Sequence, residues 1–210
     1  PLEDHGVACL FRALENNSQL ASLECTSTKC LDEGMIALVG LLDRTPLKNL
    51  NLSGQQMDQN EFLNTFHLVG ALGRTTTLES LVLRANNLST DYDMANLAAA
   101  LTHNTSVKLL DISGNNIRSS AMTILASRIP SFQVLENLLI GGKEVFDDET
   151  SKDLARAMRD NRSIKRITCN PFLPDYKTIQ YYADLNLGGR KFIEQQQSEE
   201  RTAPIPLPLW

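Results

Sequence analysis

Val107-Lys-Leu-Leu110-Asp-Ile112-Ser-Gly-Asn115-Asn-Ile117 decides the fold of this 210-residue chain. Leu110 and Ile112 are two residues apart, so on an extended strand their side chains share one face. The polar run behind them ends the strand, and the Asn115 amide is suited to satisfy backbone groups left open there. The same spacing recurs as Leu20-x-x-Leu23-x-Cys25, Leu47-x-x-Leu50-x-Leu52, Leu78-x-x-Leu81-x-Leu83, Leu135-x-x-Leu138-x-Ile140 and Ile164-x-x-Ile167-x-Cys169. The six starts are separated by 27, 31, 29, 28 and 29 residues. Five units continue to an apolar residue after the turn, at Cys30, Met57, Leu88, Ile117 and Val145, with Thr28, Gln55, Asn86, Asn115 and Lys143 two positions earlier.

Between the strands the apolar spacing changes to three and four, as at Leu97 and Leu101, at Ile124, Leu125 and Arg128, and at Leu154, Ala157 and Met158, which predicts helices. Residues Leu2 to Asn16 are expected to be the helical half of a first, truncated unit, with Cys9, Leu10 and Leu14 in register and Cys9 facing inward. Ile179, Tyr182, Ala183 and Leu185 predict a last helix ending near Gly188-Gly189. One strand and one helix bury little alone, so neighbouring units must stack.

This pattern resembles the leucine-rich repeat, and its 27- to 31-residue spacing is similar to the ribonuclease-inhibitor-like class. The joins Asn16-Asn-Ser-Gln-Leu20, Asn104-Thr-Ser-Val107 and Asn161-Arg-Ser-Ile164 fit the same class. The resemblance implies an α/β, right-handed solenoid with a curved parallel sheet inside and helices outside. Residues 1–190 are then the solenoid, with strands near 20–25, 47–52, 78–83, 107–112, 135–140 and 164–169. Residues 191–210 are a polar linker and Pro-rich tail. The longest unit is expected to carry its extra residues at Asp58 to Phe66 or Gly73 to Thr77, and the pattern weakens at Gly141-Gly-Lys143 and Pro171-Phe-Leu-Pro174.

Composition agrees with a leucine-built core: 33 Leu and 16 Asn stand beside only 6 % aromatics, in a chain that is 42 % hydrophobic. Twenty Lys+Arg against 25 Asp+Glu leave a net charge of −5, so there is no global positive field for nucleic acid or an anionic membrane. No stretch approaches the ~20 apolar residues of a membrane-spanning helix. Cys25 and Cys169 hold strand core positions, Cys30 the position after the turn, and no C-x-x-C exists. The thiols therefore read as small core hydrophobes in a reducing, cytoplasmic compartment. His5, His67 and His103 are isolated along the chain, so no metal site is expected. Asp147-Asp-Glu149 reads as acids complementing the start of a helix. No nucleophile, base and orienting residue can be assembled from the sequence, which predicts no enzyme, no cofactor and no small-molecule substrate.

A binding role is the remaining expectation. The resemblance implies that residues between the core leucines project from the concave sheet face. Val82, Leu109 and Leu139 then form an apolar spot, with Glu24, Asn51, Arg84 and Asp111 around it, as in a protein-binding patch. A basic run at Lys152, Arg156 and Arg159 is a possible dock for an acidic partner. The expected function is non-catalytic protein–protein interaction within a larger intracellular scaffold, sensor or assembly subunit. The Ran GTPase-activating proteins have a similar fold, so regulation of a small GTPase is the alternative.

Overall fold

In the parallel sheet each central apolar residue of the repeat stands opposite its counterpart: Leu23, Leu50, Leu81, Leu110, Leu138 and Ile167. The structure is a computed structural model that describes residues 2–55, 65–141 and 145–190. Its strands are β1 (Ser22–Glu24), β2 (Asn49–Asn51), β3 (Ser80–Val82), β4 (Leu109–Asp111), β5 (Asn137–Leu139) and β6 (Arg166–Thr168), ordered β1 to β6 across one sheet. Each comprises the middle three residues of one repeat. Parallel neighbours need a crossover, and each crossover here is a helix. These are α2 (Asp32–Arg44), α3 (Thr65–Arg74), α4 (Asp91–His103), α5 (Ser119–Arg128) and α6 (Asp148–Asp160), flanked by α1 (Asp4–Leu14) and α7 (Tyr176–Leu187).

The core lies between sheet and helices. Leu50, Leu81 and Leu110 of the strands, with Leu52, Leu83 and Ile112 just beyond them, are buried in one cluster with Leu38, Leu68, Leu97, Leu125 and Leu154 of the helices. Each such side chain contributes roughly 2 kcal/mol by leaving water.

Two sequence expectations are corrected. In α1 the buried residues are Val7, Ala8 and Phe11, while Cys9 and Leu10 are exposed and Leu14 is only half-buried. A helix turning 3.6 residues per turn puts 7, 8 and 11 on one stripe and rotates 9 and 10 off it. In the fifth unit Val145 is 83 % exposed and Phe146, one residue later, fills the core position at 4 %. Of the two stretches expected to carry the second unit's extra length, most of Asp58 to Phe66 lies outside the described residues. The join 75–79 has ordinary length. Met57, Lys143 and residues 191–210 lie outside the described residues.

Polar side chains buried between units bind the stack together. Asn115 donates its amide to the carbonyls of Ile112 (2.7 Å) and Leu83 (2.9 Å), and its oxygen accepts from the Asn86 (2.6 Å) and Leu88 (3.1 Å) N–H groups. Asn86 repeats this one unit earlier, donating to Leu52 O and accepting from Gln55 N. Gln55 takes over at the next rung, donating to Cys25 O and Leu52 O and accepting from Thr28 Oγ1 and Cys30 N. A second ladder ties the joins into strands. Asn104 donates to Leu72 O (2.6 Å) and accepts from Ser106 and Val107 N–H, and Asn161 donates to Ile129 O (2.7 Å) and accepts from Ser163 and Ile164 N–H.

The residue before each turn rung is left-handed: Ser27, Gly54, Ala85 and Gly114 have φ of 54, 62, 53 and 71°. Two of the four carry a Cβ there, at a cost of about 1 kcal/mol each. Replacing Ala85→Gly is therefore expected to raise stability by about 1 kcal/mol. Asn115→Ala strands buried donors and acceptors in two units and is expected to lower it by about 3–5 kcal/mol. Urea unfolding followed by circular dichroism measures both; equal and small shifts would refute the ladder's role.

Candidate protein-binding surface

Strand alternation sends the residues between the core leucines to the other face of the sheet. The ladder register places Glu24, Asn51, Val82, Asp111, Leu139 and Thr168 side by side, and a parallel row of Ser22, Asn49, Ser80, Leu109, Asn137 and Arg166 two residues earlier. Asp111 thus stands directly between Val82 and Leu139, with Leu109 two residues before it on the same face. All three apolar side chains are half-buried. They flank a carboxylate rather than one another.

That carboxylate is only 6 % exposed. Its Oδ1 accepts from the Ser113 N–H (3.0 Å) and Oγ (2.6 Å), and Arg84 Nε lies 3.7 Å from Oδ2. Asn51 makes the same pair of bonds to Ser53, at 3.0 and 2.6 Å. Two of the four expected polar residues therefore hold the strand-to-turn bend, while Glu24 and Arg84 are exposed. Next to this patch Gly141 is obligatory, because a Cβ there would come within 2.6 Å of the Cys169 backbone.

One row of the surface was missed in the sequence. Lys48, Glu79, Lys108, Glu136 and Lys165 alternate in sign, one residue before β2 to β6. Lys108 Nζ donates to Glu79 (2.9 Å) and Lys165 Nζ to Glu136 (2.8 Å). The Lys108 hydrogen bond holds the Glu79 carboxyl below its usual range, and Glu79 raises Lys108 in return. The signal was available as charge alternation at the repeat spacing. With Thr105, Val134, Ser163 and Asn186, these four residues line an open cavity of about 530 Å³ that is about equally polar and apolar.

The basic run on α6 is paired with its own helix. Lys152 binds Glu149 (3.3 Å), Arg156 binds Asp153 (2.7 Å) and Glu149 (3.3 Å), and Arg159 binds Asp160 (2.9 Å). The Lys152 hydrogen bond lowers Glu149, and Arg159 lowers Asp160. The face is one of mixed charge. Asp147 caps α6 by accepting from Thr150 N–H (2.8 Å), a bond that holds its carboxyl low. Among the described residues no group of three His, Cys, Asp or Glu is placed to hold a metal ion, and no helix is long and apolar enough to cross a membrane.

No family model matches the chain. A curated relative, the protein phosphatase 1 regulatory subunit 37 homolog of Caenorhabditis briggsae, is 22 % identical over 170 residues, covering 79 % of this chain. The chain spans only 18 % of the length of that relative. Among solved structures, leiomodin-1 actin-binding site 2 superposes with a TM-score of 0.61 at 12 % identity, covering 93 % of this chain and 96 % of that one. The tropomodulin C-terminal domain of Caenorhabditis elegans gives 0.52 at 12 % identity, covering 91 and 98 %. The fold is the α/β solenoid of leucine-rich repeats.

Because Asn51 does for Ser53 what Asp111 does for Ser113, Asp111→Asn should keep both bonds and leave the melting temperature unchanged. Asp111→Ala should cost about 1–3 kcal/mol by stranding the Ser113 donors. Thermal melts of the two variants separate a structural from a purely surface role for this carboxylate.

Proposed function

We propose that this chain is a non-catalytic protein-recognition module that docks its partner on the concave sheet face, centred on Val82, Leu109, Leu139 and the Arg84–Asp111 pair. The observation that carries this is the exposed side of the sheet. Parallel sheets are normally covered on both faces, whereas the described helices pack each on the next from α1 to α7 over the buried strand leucines, and Glu24, Asn49 and Thr168 on the other side are exposed. A half-buried apolar centre with charged and amide neighbours, Glu24 and Asn51 among them, is how a recognition patch is built. The names of similar proteins point the same way: one is a phosphatase regulatory subunit and another an actin-binding site. Such a module fits a scaffold, sensor or assembly subunit in the cytoplasm and needs no cofactor. The ion-paired run Lys152, Arg156 and Arg159 is a secondary surface for an acidic segment, one that could engage only by exchanging partners.

Actin and the protein phosphatase 1 catalytic subunit are the first partners to test, by fluorescence titration and cross-linking. The triple substitution Val82→Asp, Leu109→Asp and Leu139→Asp should weaken binding by more than about tenfold while circular dichroism stays native. Unchanged affinity, or cross-links confined to the helices, would overturn the concave assignment. Acceleration of GTP hydrolysis by a small GTPase on adding the chain would favour the regulatory alternative.

A further inference from the structure

The packing of α1 on α2 assembles what the linear sequence leaves scattered. His5 and Cys9 are four residues apart on α1 and so neighbours on one face of the helix, with Cys9 Sγ 3.6 Å from His5 Nε2. The other ring nitrogen, Nδ1, lies 3.1 Å from Glu33 Oε2 on α2. Glu33 also accepts from Arg12 Nη1 at 2.9 Å. The bonds from Arg12 and then His5 hold its carboxyl below the usual range, so it is ionised at neutral pH. A carboxylate only accepts, so Nδ1 carries a ring hydrogen, and in the neutral ring the lone pair is on Nε2, facing the thiol. The order is nucleophile, base and orienting acid, on a solvent-accessible helix face.

The remaining thiols are of a different kind. Cys25, Cys30 and Cys169 are buried, whereas Cys9 is exposed. Burial pushes the Cys30 thiol far up and Cys169 up to about 11. Since the thiolate is the attacking form, Cys30 and Cys169 are both sealed and protonated at neutral pH, and Cys25 is sealed by burial. The other charges near Cys9 on the two helices are accounted for. Asp4 spends its carboxylate on the start of α2, accepting from the Leu31, Glu33 and Gly34 N–H groups at 2.8, 3.0 and 2.8 Å. Arg12 is bound to Glu33, and Asp32 stands beside Glu33 in the first turn of α2.

We propose that Cys9 is a thiol–disulfide exchange site for a low-molecular-weight disulfide of the glutathione type, with His5 as base and Glu33 as its positioning residue. The Cys9 proton passes to Nε2, the sulfur attacks one sulfur of the disulfide, and the S–S bond breaks. The departing thiolate then takes the proton from the imidazolium. The products are a mixed disulfide on Cys9 and one free thiol, with no oxidant beyond the disulfide. The modified residue lies on the helical side of the solenoid, so the concave face stays open for docking.

The test uses the full chain and 5,5′-dithiobis(2-nitrobenzoate) as the disulfide, with oxidised glutathione as a second arm. One equivalent of coloured thiolate should be released rapidly, with the label mapped to Cys9 by peptide mass spectrometry, and Cys9→Ser should abolish that phase. His5→Gln should slow it about tenfold at pH 7, short of the ~100-fold of an enclosed base because water competes. The pH–rate profile of His5→Gln should differ in shape from that of the native chain. Glu33→Gln should produce a smaller slowing, with circular dichroism confirming that both variants are folded. An unchanged rate and pH profile in folded His5→Gln would overturn the proposal. So would first labelling of a buried cysteine, or a native Cys9 no faster than a cysteine in a peptide of residues 4–14.

Discussion

Every unit of this solenoid has to make a sharp turn at the end of its strand, and the turn is sandwiched between its neighbours where water cannot reach. The backbone N–H and C=O groups there must find protein partners or cost a few kcal/mol each. Asn115, Asn86 and Gln55 solve this with one side chain per turn: Asn115 and Gln55 each bond their own unit and the one before it, and Asn86 bonds the unit before it. Because each amide spans two units, a turn is satisfied only when its neighbour is in place. Stacking is therefore enforced by hydrogen bonding as well as by burial of leucine, and the strands are held in one register from β1 to β6.

That register is what builds the candidate binding surface. Once Leu110 is fixed opposite Leu81 and Leu138, Asp111 has no choice but to stand between Val82 and Leu139. The same constraint lines up Lys48, Glu79, Lys108, Glu136 and Lys165 along the edge of the sheet, where opposite charges reach one another across units. A one-residue slip of any strand would turn its leucines outward and break this charge alternation together. The features that stabilise the solenoid and those offered to a partner thus follow from one alignment.

Much of this was legible in the sequence for a simple reason: period-two strands and period-3.6 helices leave local signatures, and repetition multiplies them. The turn position was recognisable even where Gln55 replaces Asn, since its place in the repeat identified it. Errors arose where local pattern could not choose between neighbours. Val145 and Phe146 are both apolar, and only the space available in the fifth unit selects the larger ring. Cys9 and Leu10 fit a helix pattern as well as Val7 and Ala8 do, and the stripe that meets α2 decides between them.

The sequence by itself determined the number of strands, the presence of helices between them and the identity of most core positions, because these depend on spacing along the chain. It also determined which residues share the open face of the sheet, through the alternation of side chains. Only the tertiary structure decided what those residues do. It showed that Asp111 and Asn51 are engaged in their own turns, that the α6 cations are paired, and that His5, Cys9 and Glu33 meet. The first two are settled by which side-chain conformation the packed chain selects, and the last by how one unit seats on the next, bringing together groups 28 residues apart.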